Sequence, residues 1–206
     1  MLLKHATLIA SALALASAAP LARRATLTAA TIQAISPKTS TCDGAPFPDE
    51  CRDASQAEDP INKSFQKYQI NSAGEQAALL ALMLYESDNF KYNKNHFPAP
   101  GNPGQGTKNM QSPAFNLKYA QSLFDALTVQ QAEAKGPEAV LVLVSGDQES
   151  FGSAAWFLSN QCSGSIRQGL ASGSPEGWTA YLTQCVGTTD NPERDSIWKA
   201  ALQAME

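Results

Sequence analysis

Histidine is nearly missing from this sequence: His5 and His96 are the two it contains. His5 falls in an N-terminal leader, so a Ser-His-Asp triad or a histidine-based metal site would have to use His96. There is no C-x-x-C pair, which removes the usual spacing of a zinc site. No G-x-S-x-G nucleophile elbow is present, and neither is a phosphate loop or a G-x-G-x-x-G turn. Beyond the leader there is no second long apolar run, so no membrane segment is expected once it is removed. Positive charge is not in excess: the formal net charge of −4 argues against nucleic acid and anionic membrane as partners. No motif implies a metal or a cofactor.

The N-terminus has the form of an export signal. Lys4 supplies the positive start, Ala6 to Ala19 form a Leu- and Ala-rich apolar stretch, and Ala16-Ser17-Ala18 offers a small-x-small cleavage site. Residues 1–19 are therefore read as a signal peptide. Residues 20–24 are read as a short pro-segment ending in the dibasic pair Arg23-Arg24. The expected product is a secreted, extracellular chain from Ala25, and a monomer. Residues 25–60, rich in Thr, Ser, Pro and Asp, read as an N-terminal arm, and 61–206 as one helical domain.

Four cysteines remain, an even number in an exported chain. Three pairings are possible. Cys42–Cys51 is expected because the Gly- and Pro-containing segment between them can turn back. Cys162–Cys185 would then tie two helices together, and no thiol would be left for Cys-His catalysis. Asn62-Lys63-Ser64 is a sequon for N-glycosylation.

Helical signals dominate the rest. Ser72-Ala73-Gly74-Glu75 is a capping box before an apolar run. Ala77 to Tyr85 is apolar at every position, as in a helix buried on all sides. Ser112-Pro113, Ser174-Pro175 and Asn191-Pro192 each place a capping residue before a proline at the first helical position. Apolar residues then recur at helical spacing, for example Phe115, Tyr119, Leu123 and Leu127. Val140 to Val144 and Ala154 to Leu158 also read as helix. Lys91 to Gln111 holds three prolines and several glycines and asparagines, and reads as a long irregular loop of functional type. The fold class is all-α, a helical globule with disulfides.

Glu86 is the carboxylate of interest, at the end of the most buried helix. The negative end of the helix dipole and the neighbours Tyr85 and Phe90 both favour a carboxyl that keeps its proton. A general acid acting on a glycosidic oxygen needs that property. Asp147 and Glu149, on a polar turn, are the candidates for a second carboxylate; Asp88 is too near in sequence to be placed across a cleft.

Glu86-Ser87, the following loop, the turn Gly104 to Gln111 with Met110-Gln111, and Asn116 in Pro113-Ala114-Phe115-Asn116 occur in an informative order. The order resembles the lysozyme-like superfamily, in particular its soluble lytic transglycosylase and goose-type lysozyme branch, over roughly Glu75 to Leu127. The segment Phe97 to Pro103 is an insertion relative to that pattern. The resemblance implies a lysozyme-like fold with Glu86 as catalytic acid/base and Ser87 orienting it or touching substrate. Met110 and Gln111 would line a sugar groove, with Asn116 beside it.

The function expected on that basis is a secreted glycosidase, a hydrolase or lytic transglycosylase, acting on an amino-sugar polysaccharide such as peptidoglycan or chitin. Its cleft would lie between the buried helix and the Lys91–Gln111 loop, with Tyr92, Phe97 and Asn109 on the sugars. The second expectation is a non-catalytic secreted module that binds carbohydrate or protein on the same scaffold.

Overall fold

Ser72 opens the central helix. Its hydroxyl accepts from the Glu75 amide at 3.2 Å, and the Glu75 carboxylate returns to the Ser72 hydroxyl at 2.9 Å. Helix α3, Ala73–Glu86, follows, and every residue from Ala77 to Leu84 is buried. A helix without a polar stripe needs apolar neighbours on every side. Around it stand α7 (Asp147–Gln161), α8 (Gly164–Ala171) and α10 (Pro192–Met205).

The structure is a computed structural model that describes residues 26–205. The signal peptide and the dibasic pair lie outside the described residues. Ten α-helices are present among the described residues, with no strand longer than an isolated bridge. The remaining helices are α1 (Ala29–Ile35), α2 (Ala54–Lys67), α4 (Pro113–Leu123), α5 (Ala126–Glu133), α6 (Pro137–Leu143) and α9 (Pro175–Ala180). A π turn, Tyr181–Val186, extends α9. No described helix is long and apolar enough to cross a membrane. The all-α expectation is met.

Two apolar cores meet at α7. Phe151, Ala154, Ala155 and Leu158 pack with α3 in the larger core, while Trp156 and Phe157 join Tyr119, Val129, Val140 and Val144 in the smaller one. The Cys162–Cys185 disulfide packs against both, and Cys42–Cys51 closes the first surface loop. Both expected pairings are therefore present. At the far end, Trp178 of α9 and Trp198 of α10 stack in parallel with centroids 5.6 Å apart. The Trp178 indole N–H donates to Asp195 at 2.9 Å, so the pair is both packed and hydrogen-bonded.

Two expectations need correcting. The boundary at residue 60 falls inside α2: besides the short helix expected over Thr28 to Ile35, which is α1, the arm turns helical again from Ala54. Asp53 caps α2 by accepting from the Ser55 and Gln56 amides, and Pro60 sits within the helix rather than ending it. Burial of Ala57, Ile61 and Phe65 against α7 outweighs the proline. Ser112, although placed as a cap, makes no side-chain capping bond, and Pro113 alone marks the start of α4.

The close approach of α3 to α8 depends on Gly74. A Cβ built there would lie 2.0 Å from the Leu170 carbonyl oxygen. Backbone cannot yield like a flexible side chain, so the helices would have to separate. Gly74→Ala is expected to cost about 1–3 kcal/mol. Chemical denaturation checks this, and an unchanged midpoint would contradict the packing described.

Candidate functional site

Glu86 ends α3 facing α10, not the long loop. Its Oε1 accepts from Arg194 Nη2 at 2.6 Å, and the Arg194 guanidinium lies 3.9 Å over the Tyr85 ring. Arg194 is 6% exposed. The sequence reading surrounded Glu86 with apolar groups, but the structure places a buried cation there. The carboxylate is committed to an ion pair that fastens α3 to α10 and does not face a cleft as a free acid.

Ser87 serves the same helix end. Its hydroxyl donates to the Met83 carbonyl at 2.6 Å and accepts from the Phe90 amide at 3.0 Å. Asn109, Gln111 and Asn116 form an interior network rather than a groove wall. Gln111 Nε2 donates to Asn116 Oδ1 at 2.8 Å, and Asn116 Nδ2 donates to the Gly104 carbonyl at 2.8 Å. Met110 takes a left-handed φ of 47° in the turn that begins at Thr107. Asp147 pairs with Arg52 at 2.7 Å. Glu149 gives its backbone carbonyl to the Tyr119 hydroxyl at 2.9 Å. Asn62, of the sequon, lies inside α2. Its side-chain nitrogen donates to the Glu58 carbonyl within the helix and to the Leu27 carbonyl, while its oxygen accepts from the Leu27 amide, and the two Leu27 bonds hold the chain N-terminal to α1.

Tyr92 and Phe97 do come together, in a cluster with two residues the sequence reading did not combine with them. Tyr92 has ring centroids of Phe47 at 5.9 Å, His96 at 5.8 Å and Phe97 at 5.9 Å. Phe47 stacks on His96 at 3.6 Å, and Phe97 is 65% exposed.

Beneath this cluster lies Glu50, which nothing in the sequence singled out. One carboxylate oxygen accepts from the Asn93 and Lys94 amides at 2.8 and 3.1 Å, and the other bonds His96 Nε2 at 2.8 Å. Glu50 stands next to Cys51, so the disulfide fixes the loop that carries it. Lys108 completes the node from inside. It is 1% exposed and has no carboxylate partner among the described residues; its ammonium donates to the carbonyls of Glu50, Phe90 and Tyr92 at 2.7, 3.1 and 3.0 Å. Burial pushes its pKa down to about 7, with Arg52 and Lys91 adding to the fall and Glu50 and Asp147 opposing it.

The node shapes a cavity of about 540 Å³ on the outer side of the loop. Asp49 and Glu50 form one wall, the loop segments 93–95 and 100–105 a second, and Glu138, Leu141, Val142 and Ser145 of α6 and its exit turn the third. Paired bridges, Lys94 to Gly106 and Gly106 to Gln111, stiffen the loop wall. Gly101, at φ 89°, has no room for a Cβ, which would lie 2.1 Å from the Asn95 carbonyl. Asn93 Nδ2 donates to the Ser145 carbonyl at 2.9 Å and joins the loop to α6. The cleft expected between α3 and this loop is replaced by a pocket between the loop and α6. Glu86 does not line it.

No family model matches the chain, and no solved structure matches it. A protein of Fusarium oxysporum (strain Fo5176), described as a bifunctional dioxygenase–epoxy alcohol synthase, is 38% identical over 166 residues. The match covers 77% of this chain but spans only 13% of that protein's length. The glycosidase expectation is corrected by this relative, whose described chemistry is not glycoside cleavage, and the second expectation finds no support in it either.

Lys108 gives a pH test of the node. Its folded pKa of about 7 lies below the ordinary lysine value of 10.5. Between those values the unfolded chain holds a proton that the folded chain lacks, so stability rises with pH there, by at most about 1.4 kcal/mol per pH unit. Below pH 7 both states carry the proton and the slope vanishes. Lys108→Met should remove the rise, since the side chain no longer titrates. Denaturation midpoints from pH 6 to 10 check it. An identical pH dependence in both proteins would contradict the assignment.

Proposed function

We propose that this chain is an exported ligand-binding module whose site is the cavity between the 93–105 loop and α6, and whose ligand is a small organic amine with an apolar body. The two disulfides support the export, since such bonds persist in oxidising compartments. The observation that carries the ligand class is the composition of the walls. Three carboxylates, Asp49, Glu50 and Glu138, stand against one ammonium, Lys94, while Leu141, Val142 and the loop prolines supply an apolar side. A concave, largely preformed pocket with a few convergent polar groups is the usual form of a small-molecule site. Glu50 contributes its charge while its lone pairs hold the loop. Asp49 and Glu138 are exposed and free to meet a cation.

The relative's described activity belongs to a whole protein of which this chain matches a small part. Oxygen chemistry needs a metal or organic cofactor. Among the described residues, no group of three or more His, Cys, Asp or Glu is placed to hold a metal, His96 Nε2 is taken by Glu50, and all four cysteines are paired. These residues do not fit a metal centre for dioxygen. We therefore assign no oxygenase step to this chain.

Calorimetric titration with a straight-chain alkyl amine and the alkyl carboxylate of equal length tests the reading. The amine should bind at low salt, weakening as salt is raised, and the carboxylate should not. Glu138→Lys should weaken the amine roughly 3–10-fold, and Val142→Trp should block the apolar wall. Val142 is 71% exposed and Glu138 is also on the surface, so both variants should melt like the wild type. Equal binding of amine and carboxylate, or none of either, would overturn the proposal.

A further inference from the structure

Arg194 carries more donors than its neighbours use. Nη2 donates to Glu86 at 2.6 Å and reaches Thr188 Oγ1 at 3.3 Å, whereas Nε and Nη1 are buried with no partner among the described residues. Two further buried side-chain atoms share that condition among the described residues: the Tyr181 hydroxyl, in the π turn, and Asp190 Oδ1, in the segment that leads into α10. Tyr181 lies close enough to Glu86 for the carboxylate to help hold its hydroxyl proton on, behind the larger effect of burial. Asp190 is anchored to α9 by its other oxygen, which accepts from Thr179 at 2.7 Å. Arg194 and Tyr181 thus share Glu86 as a neighbour, and Asp190 lies on the segment that joins the π turn to α10.

A buried N–H of a guanidinium left without an acceptor is costly, more than a neutral donor would be. We infer that this junction is an internal hydration site, with ordered water bound to Arg194 Nε and Nη1. The chemistry of the set selects water over an ion. Arg194 can only donate, ionised Asp190 can only accept, and the tyrosine hydroxyl does both. Water alone among small ligands accepts from the first, donates to the second and bridges the third. An anion would repel Glu86 and Asp190, and a cation would repel Arg194.

The measurement is the nuclear Overhauser contact between water and the Arg194 Nε proton in the full, oxidised chain, in wild type and in Tyr181→Phe. The isosteric change keeps the packing and removes one hydroxyl. A negative contact, the sign given by water resident for longer than about a nanosecond, is expected in wild type. Tyr181→Phe should lower Tm by about 2–4 °C, because the bridged water loses a partner. An unchanged Tm would contradict the bridge to Tyr181. Absence of the contact in wild type overturns the inference. So does a rise in Tm in Tyr181→Phe with the Arg194 contact unaltered in intensity, because a dry hydroxyl is the one whose removal relieves strain.

Discussion

Burial of α3 on every side is the constraint from which the rest follows. A helix whose residues 77–84 are all buried has to be wrapped, and α7, α8 and α10 are positioned by that need. Gly74 permits the approach of α8. The C-terminal end of α3 leaves its last carboxylate half-buried beside the buried side of α10. A charge there is best kept with a partner, because a buried ion without one is far more costly than one that is paired. Arg194 from α10 supplies the partner, and the ion pair becomes part of the seam that closes the core.

The pocket obeys a second, local constraint. The 91–111 loop has little regular structure, so its backbone groups need partners from elsewhere. Glu50 takes two amides and the His96 ring, and Lys108 takes three carbonyls from two separate segments. A carboxylate from the disulfide loop and an ammonium from within thus give the loop a fixed form and leave a cavity on its outer face. The aromatic cluster of Phe47, Tyr92, His96 and Phe97 sits on this node. The same arrangement makes the cavity's acidic wall rigid, because the residue next to Asp49 is fixed by four bonds and a neighbouring disulfide.

The helices with strong local signals were legible in the sequence. The capping box of Ser72, the proline starts at 113, 175 and 192, and the unbroken apolar run of α3 all rest on interactions within a few residues. Helix α2 was missed because a stretch rich in Thr, Ser, Pro and Asp reads as irregular chain, and only packing against α7 shows why Pro60 is tolerated within a helix. Both disulfides were foreseen from spacing and composition. The site was not legible. Glu50 and Lys108 are separated by 58 residues, and no periodicity links a charged residue beside a cysteine to a lysine in a glycine-rich turn. Tyr92 and Phe97 were assigned to sugars in a cleft beside α3; they pack instead with Phe47 and His96, which no local pattern linked to them. Glu86 misled because helix position alone says nothing of Arg194, which lies 108 residues further on.

Backbone amide shifts of the oxidised chain, followed through a titration with the alkyl amine, test the central claim most directly. The account predicts that perturbations gather at Asn93, Lys94, Asn102, Gln105 and the Glu138–Ser145 segment, while Glu86 and Arg194 stay unmoved. Shifts centred on Glu86 and Arg194, or none at saturating amine, would contradict it.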